Sequence, residues 1–142
     1  MNINVTNNTA NETSSKSARV LNFSHPLTDE QLEQIGALSQ GAYQVTRAEV
    51  VNVLVKANND QDIQAQVDAW VTEACQKMFL SPLSDTILVN VPGLPIAATL
   101  VLMHLKQRLE QATGKAVGIK ILRIVPTGAV TGGFKVSQIV DF

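Results

Sequence analysis

The chain opens with a polar stretch, and hydrophobic positions begin to recur only beyond it. Residues 1–18 are mainly Asn, Thr and Ser, with no regular spacing of apolar side chains. Such a segment buries too little apolar surface to offset the entropy lost on ordering, so we expect residues 1–18 to form a disordered polar tail. Residues 19–142 are then expected to form one domain, which agrees with the usual size of domains.

Beyond the tail, the spacing of apolar residues alternates between the periods of strands and helices. Short runs rich in β-branched residues predict strands at residues 18–23, 49–55, 86–91, 119–125 and 134–140. Between the first four of these runs, apolar residues recur at helical spacing at about residues 28–41, 58–78 and 95–114. The predicted order of elements is therefore β-α-β-α-β-α-β-β.

Local signals mark where the predicted helices begin and end. Thr28 is followed three residues later by Gln31, which is the pattern of a capping box at a helix start. Residues 58–60, with the sequence Asn-Asn-Asp, are expected to turn the chain and cap the second helix. Pro95 suits the first turn of the third helix, and Gly114 is expected to end it.

The alternation of strands and helices predicts the fold class. It favours an α/β fold in which helices flank a mainly parallel, Rossmann-like sheet. The β-branched run at residues 49–55 is typical of a strand covered on both faces. No helical pattern separates the last two strands, which are joined by residues 126–133 alone. We therefore expect the last strand to return antiparallel.

The distribution of charge and the lengths of the apolar runs argue against two classes of partner, duplex nucleic acid and membranes. Eleven Lys and Arg face twelve Asp and Glu, and the cations are scattered singly. Because nucleic-acid binders use a basic face to displace counterions from many phosphates, no duplex nucleic acid is expected as a partner. No apolar run approaches the length of a membrane span, and the start of the chain lacks a signal-peptide pattern. We expect a cytoplasmic protein with no membrane partner.

The cysteine count and the spacing of possible metal ligands exclude two further kinds of feature, an internal disulfide framework and a metal site. Cys75 is the only cysteine, so an internal disulfide framework and a multi-cysteine zinc site are both ruled out. No group of His, Cys, Asp and Glu has metal-ligand spacing. We therefore expect no metal and no cofactor.

The candidate binding residues lie in three loops. Ligands of open parallel sheets bind outside the carboxyl ends of the strands, so we expect the loops at residues 22–27, 90–95 and 126–133 to face the same side. The candidate ligand-binding residues in these loops are Asn22, Phe23, Ser24, His25, Pro26, Asn90, Pro92, Gly93, Leu94, Pro95, Thr127 and Gly128.

The second and third loops each allow two interpretations. Gly93 lets the backbone approach a ligand, and the amides of residues 96–98 would offer a helix N-terminus to an anion. The other interpretation is a Pro-Gly turn that only starts a helix. No P-loop or dinucleotide-binding glycine pattern is present. The third loop, around Thr127 and Gly128, is either part of a site or a flexible connection.

His25 is the strongest candidate for chemistry. It follows a predicted buried strand, beside Ser24 and near Asn22, and an imidazole there can exchange a proton near neutral pH. The alternative is that His25 only hydrogen-bonds a loop carbonyl. Ser24 lacks a nucleophile elbow. His104 is expected to be a structural or interface histidine, since it lies within a helix between apolar residues.

The first loop also carries a resemblance to a known family. Residues 20–28, with the sequence Val-Leu-Asn-Phe-Ser-His-Pro-Leu-Thr before an acidic helix start, resemble small CRISPR-associated accessory proteins of type III systems. The similarity extends through Asn-Val-Pro-Gly at residues 90–93 to residues 122–126 and 134–136, and so covers nearly all of the chain after residue 18. The first motif is the most specific of these.

The resemblance implies a Rossmann-like domain related to those that sense cyclic oligoadenylate. It further implies a homodimer, with higher oligomers open, that holds the ligand across its two-fold axis. Cyclic tetra-adenylate suits such a dimer, because a two-fold ring can be met by one surface used twice.

Two functions within this family compete. The protein either binds and sequesters cyclic oligoadenylate or is a metal-independent ring nuclease that leaves a 2′,3′-cyclic phosphate. In the second case His25 would be the catalytic acid or base, with Asn22 and Ser24 positioning the ribose. The three loops offer no second acid–base group and no Lys or Arg to stabilise the transition state, which favours binding. Outside the family, a flavodoxin-like module for an ordinary nucleotide and a ligand-free structural subunit stay open.

Overall fold

A computed structural model describes residues 16–79 and 86–142. In these residues the elements are, in chain order, β1 (Lys16–Ser17), β2 (Arg19–Asn22), α1 (Asp29–Leu38), β3 (Tyr43–Gln44), β4 (Val50–Asn52), α2 (Ile63–Met78), β5 (Thr86–Asn90), α3 (Pro95–Thr113), β6 (Gly118–Pro126) and β7 (Phe134–Asp141). A short 3-10 turn at Arg47–Glu49 precedes β4.

The main sheet has five strands in the order β4-β2-β5-β6-β7. The first four run parallel, and β7 pairs antiparallel with β6. The prediction of an α/β fold with a mainly parallel sheet flanked by helices is confirmed. The last strand returns antiparallel because the short loop before it leaves no length for a crossover.

The helices divide between the two faces of the sheet. Alternate residues of a strand point to opposite faces. Leu21 and Ile87 accordingly join the apolar cluster under α2 and α3, whereas their neighbours Val20 and Leu88 join the cluster under α1. Both faces of the central strands are therefore covered.

The chain changes direction between β2 and β5. After β2 it crosses over α1 to β4 on one side, and after β4 it crosses over α2 to β5 on the other side. Right-handed crossovers in opposite directions must pass over opposite faces, which accounts for the division of the helices. The carboxyl ends of β2 and β5 thus form a topological switch point, where α/β sheets bind ligands.

The helix ends follow the sequence signals at Thr28, Pro95 and Gly114 and differ from them at residues 58–60. Thr28 and Gln31 form the predicted capping box of α1, and Gly114 ends α3 in the left-handed conformation that glycine tolerates best. The expectation that residues 58–60 cap α2 is wrong. Asp62 is the N-cap, and Asn58 instead closes a turn by accepting from the Asp60 amide at 2.9 Å. None of the helices within the described ranges has the length and apolar character needed to cross a membrane.

The boundary of the predicted tail needs a correction at its end. Lys16–Ser17 pairs parallel with β3, and Ala18 is fully buried. Residues 16–18 therefore belong to the folded domain. The remaining part of the predicted tail, residues 1–15, lies outside the described residues.

Two glutamines of α1 close part of the outer edge of β7. The Val136 amide donates to Gln34 Oε1 at 2.7 Å, and Gln31 Nε2 donates to the Phe134 carbonyl at 3.1 Å. Exposed edge strands invite pairing with other chains, so covering these groups removes part of that hazard. The same contacts fix the start of β7 against the first turns of α1.

Candidate functional site

The three predicted loops lie along one edge of the sheet. β2, β5 and β6 are parallel, so the loops that follow them leave the same, carboxyl edge. This expectation is confirmed. β4 ends at this edge too, which adds a fourth segment, residues 53–62, that the sequence analysis did not single out.

Three asparagines form a hydrogen-bonded ladder across this edge. Asn52, Asn22 and Asn90 end β4, β2 and β5 and are in register. Asn90 Nδ2 donates to Asn22 Oδ1 at 2.9 Å, and Asn22 Nδ2 donates to Asn52 Oδ1 at 2.9 Å. Asn22 is 1% exposed and Asn90 7%, whereas Asn52 is exposed. The ladder therefore crosses the switch point from a buried end to an open one.

Asn22 uses all of its side-chain hydrogen bonds within the protein. Besides its two ladder bonds, its Oδ1 accepts from the Ser24 amide at 3.1 Å and its Nδ2 donates to the His25 carbonyl at 3.0 Å. An asparagine amide has two donors and two acceptor lone pairs, so nothing is left for a ligand. Asn22 therefore positions the first loop and has no side-chain group left for the predicted ribose contact.

Free hydrogen-bonding groups are found at the two ends of the ladder. Across residues 16–79 and 86–142, Asn90 Oδ1 and Asn52 Nδ2 make no hydrogen bond. One is an acceptor and the other a donor, both at the carboxyl edge. Sequence reasoning missed Asn52, although a signal existed, since each of these three apolar runs is interrupted by an asparagine that is followed by a further apolar residue.

The first loop exposes its polar residues and buries its aromatic one. Ser24, His25 and Pro26 are exposed, and the imidazole of His25 has no hydrogen-bond partner in the described part of the chain. The alternative that this ring bonds a loop carbonyl is therefore not observed. Phe23 is 1% exposed and packs under α2 and α3, so only its backbone is left for the predicted ligand contact.

Arg47 holds this loop from outside. Its Nη1 donates to the Leu27 carbonyl at 2.8 Å, and its Nη2 lies 2.6 Å from Asp29 Oδ1. Both side chains of this ion pair are largely exposed, so the pair itself stabilises the fold little. Arg47 is a cation brought to the first loop from another segment, which the sequence analysis did not foresee, and its Nε, Nη1 and Nη2 each donate to a partner within the protein.

The second loop leads into the uncapped N-terminus of α3. Leu94 is the N-cap and provides no side-chain hydrogen bond, and Pro95 occupies the first turn. The Ala98 amide donates to the Leu94 carbonyl at 2.8 Å, so of the amides expected to be free only those of residues 96 and 97 have no partner within the described ranges. Pro92 is buried. Gly93 faces open space, so no close contact requires a glycine there.

The third loop is closed by its own hydrogen bonds. The Thr127 hydroxyl donates to the Gly132 carbonyl and accepts from the Ala129 amide, both at 3.1 Å. The Thr127 amide donates to the Gly133 carbonyl at 3.0 Å, and Gly128 adopts a positive φ of 78°. This geometry favours a defined turn over a flexible connection. The predicted hydroxyl of Thr127 is occupied, so this loop offers a ligand mainly its backbone.

The remaining candidate side chains lie between α2 and α3. His104 Nδ1 is 4.0 Å from Asp68, which also pairs with Arg108, and Arg108 donates to the Thr72 hydroxyl at 2.9 Å. This polar seam joins the two helices, in agreement with the structural role predicted for His104. Burial raises the pKa of the Cys75 thiol, an effect that the nearby Arg108 charge partly opposes.

Three depressions of the surface lie away from the predicted loop residues. One separates α1 from residues 44–47, one lies between the end of β7 and residues 116–120, and the third lies between residues 56–62 and α2. None of the three contains a predicted site residue. In the described part of the chain, no three His, Cys, Asp or Glu side chains are grouped so as to hold a metal ion.

Comparison with known proteins assigns the chain to no family. No family model matches the sequence, and no curated protein or solved structure is significantly similar to it. The function of this chain is therefore proposed from the residues of the carboxyl edge and from the sequence resemblance described above.

Proposed function

We propose that this Rossmann-like protein is a type III CRISPR accessory protein that binds and sequesters cyclic oligoadenylate, with cyclic tetra-adenylate as the ligand. It acts in the cytoplasm as a homodimer and lowers the free concentration of the messenger, which damps the downstream antiviral response. The observation that carries the proposal is the asparagine ladder at the switch point, which holds the His25 loop beside the uncapped start of α3.

The groups at this edge suit a nucleotide. The free amide of Ile96, an exposed residue, lies at the positive end of a 19-residue helix, which favours a phosphate, whereas Ala97 is fully buried. Asn90 Oδ1 and Asn52 Nδ2 supply an acceptor and a donor for ribose or adenine. Ser24 and His25 stand exposed on a loop that Asn22 and Arg47 hold in place.

Dimerisation would complete a site that one chain leaves open. The loop residues do not line the three depressions described above, and the polar groups of the ladder lie along the edge of the sheet. A two-fold axis near this edge would bring two copies of the ladder and of the α3 N-terminus to one ring. A cyclic tetranucleotide can match that symmetry with each half meeting the same residues.

Binding without fast cleavage is favoured over ring-nuclease activity. Cleavage by the ribose 2′-hydroxyl needs in-line positioning, proton transfer and stabilisation of the charge on phosphorus. Within the described residues no side chain orients the His25 imidazole, and the nearby Arg47 is engaged by Leu27 and Asp29. The exposed imidazole of His25 is the feature that favours nuclease activity.

The proposal is tested by incubating excess protein with radiolabelled cyclic tetra-adenylate in EDTA. One portion is run on a native gel and another on a denaturing gel. A shifted, intact ring is the expected result, and conversion to linear fragments would instead establish a metal-independent nuclease. Neither a shift nor cleavage, with rings of three to six adenylates, would overturn the proposal.

A further inference from the structure

β7 is an outer strand of the main sheet, and only its first half is covered by other residues. Gln31 and Gln34 bind main-chain groups of Phe134 and Val136 there. In the part of the chain that the structure describes, the outer side of residues 138–141 has no hydrogen-bond partner for its main chain. The second half of β7 therefore keeps a free row of hydrogen-bonding groups, which is the feature that allows another strand to add to a sheet.

The pairing of β7 with β6 shows which groups point outward. The Phe142 amide donates to the Ile119 carbonyl at 3.1 Å, so the main chain of Phe142 faces β6. Main-chain groups of successive strand residues point to opposite sides, so Val140 also faces β6, whereas Ile139 and Asp141 face outward. Each of these two outward residues has one N–H and one C=O without a partner in the described residues.

The side chains of this half do not guard the edge against pairing. Soluble proteins blunt such edges with lysines, prolines or other charged residues. Residues 138–142 have the sequence Gln-Ile-Val-Asp-Phe, in which Asp141 is the one charged side chain and is paired with Lys120 of β6. Val140 and Phe142 are 37% and 51% exposed. The uncovered half of β7 therefore offers a partner apolar side chains and no unpaired charged side chain.

A second copy of the chain supplies the matching row of groups. In an antiparallel pair related by a two-fold axis at Val140, Ile139 of each copy lies opposite Asp141 of the other. Both outward residues of each copy then gain their hydrogen bonds. Lys120 neutralises Asp141 in each copy, so the pairing brings no unpaired like charges of these side chains together. The two glutamines of α1 stop the pairing from extending along β7, so it closes on two chains.

We propose that two copies of this chain pair antiparallel through residues 138–142, about a two-fold axis at Val140, and form one continuous sheet. The two Val140 side chains form a non-hydrogen-bonded pair, which is the closer kind of cross-strand pair. They meet on the face that carries α2 and α3, because Val140 is opposite Ile121, which packs against the apolar cluster there. This end of β7 pairs with the start of β6, away from the carboxyl edge, so the interface needs no ligand and goes beyond the proposed function.

The interface is tested by sedimentation velocity of the full-length protein without ligand. At rising concentration the wild type should reach a mass of twice 15.3 kDa. Val140→Lys and Val140→Glu should each be monomeric, because like charges directly opposite each other destabilise a strand pair. An equal mixture of the two variants should dimerise again, since opposite charges then meet on the axis. Val140→Thr, which keeps a β-branched side chain, is the matched control and should dimerise as the wild type does.

A second pair of variants tests the main-chain hydrogen bonds. Ile139→Pro removes an outward N–H and none of the bonds to β6, a change that an edge strand tolerates. It should weaken dimerisation by about tenfold or more, because each copy loses a hydrogen bond. Ile139→Val keeps the N–H and should dimerise as the wild type does. Circular dichroism checks that each variant is folded, and if Ile139→Pro is not, the Val140 variants decide.

The outcomes separate this interface from the proposed function. A wild type that stays monomeric up to about 1 mM without ligand would overturn the inference. So would a mixture of Val140→Lys and Val140→Glu that associates no more than either variant alone. The same proteins are tested for cyclic tetra-adenylate on a native gel. If the ring binds to a protein that is monomeric without it, the proposed function stands and this inference fails. If the variants follow the expected pattern while no ring binds, the inference stands alone.

Discussion

Asn90 donates from its Nδ2 to Asn22 Oδ1, 2.9 Å away, across the boundary between β5 and β2. At this boundary the crossovers change direction, and an open α/β sheet has its ligand crevice there. The bond therefore joins the ends of the two strands from which the first and second loops leave. Asn22 also accepts from the Ser24 amide and donates to the His25 carbonyl, so it connects the two strands to the first loop.

Removing the Asn22 side chain should destabilise the fold. Asn22→Ala leaves four groups without their partner, among them the amide of Asn90, which is 7% exposed. We expect the free energy of unfolding to fall by about 2–3 kcal/mol, as for unsatisfied buried polar groups. Urea unfolding measures this. Asn52→Ala, at the exposed end of the ladder, is the control and should lose less than about 1 kcal/mol. Equal losses would contradict the central position of Asn22.

Removing the His25 ring should leave the fold intact and weaken ligand binding. The ring is exposed and has no hydrogen-bond partner in the described residues, so His25→Ala should keep the thermal midpoint within a few degrees. Binding of cyclic tetra-adenylate, measured by native gel, should fall by about tenfold, corresponding to one lost hydrogen bond. His104→Ala, in the seam between α2 and α3, should keep the affinity. If the His25→Ala protein failed to fold, the prediction would be contradicted and His25 would have a structural role.

Uncovering the edge of β7 should promote association between chains. Gln34→Ala leaves the Val136 amide without its acceptor and opens part of the edge strand. Sedimentation velocity at rising concentration should show larger species than the wild type forms. Gln111→Ala, an exposed glutamine of α3, is the matched control. Identical sedimentation of the three proteins would show that the glutamines of α1 do not protect this edge.

The buried thiol of Cys75 should make the fold less stable at alkaline pH. Burial raises the pKa of this thiol above its ordinary value of 9.0, so the unfolded chain loses the proton first as the pH rises. The unfolded state then binds fewer protons than the folded state, and stability falls above about pH 9. Below that pH the thiol is neutral in both states and this effect is absent.

The measurement compares urea unfolding of the wild type and Cys75→Ala between about pH 8 and pH 10. The variant should lose less stability over this range. The pKa of Lys120 is also raised, mainly by its hydrogen bond to Asp141. This shift too makes stability fall as the pH rises, but it contributes equally in the wild type and in Cys75→Ala. Parallel pH profiles would mean that Cys75 is not shielded from solvent in solution.

The order of the main-sheet strands and the helices, and the shared edge of the loops, were predictable from local patterns. Short β-branched runs alternate with helical spacing, and this alternation implies parallel strands whose carboxyl ends face one side. The capping box of Thr28 and Gln31 and the terminal Gly114 are likewise short-range signals. They act within one helical turn, so no knowledge of the packing was needed.

The misassigned cap of α2 shows where local patterns stop being sufficient. Asn58, Asp60 and Asp62 are all good capping residues, and the pattern does not rank them. The choice of Asp62 is set by Gln66, whose amide ties the preceding turn to the helix. That bond spans eight residues and depends on the path of the chain after β4.

What the sequence determined by itself is the five strands of the main sheet, the three helices, their order and the shared edge of the three loops, because these follow from periodicity and chain direction; the short strands Lys16–Ser17 and Tyr43–Gln44 were not predicted. Only the tertiary structure decided what each candidate side chain does. Strand register aligned Asn52 with Asn22 and Asn90, which saturated Asn22 and left the free groups at the ends of the ladder. Packing buried Phe23, and the 3-10 turn before β4 brought Arg47 to the first loop. Hydrogen-bond saturation and burial depend on residues distant in the sequence, and for that reason a pattern along the chain does not contain them.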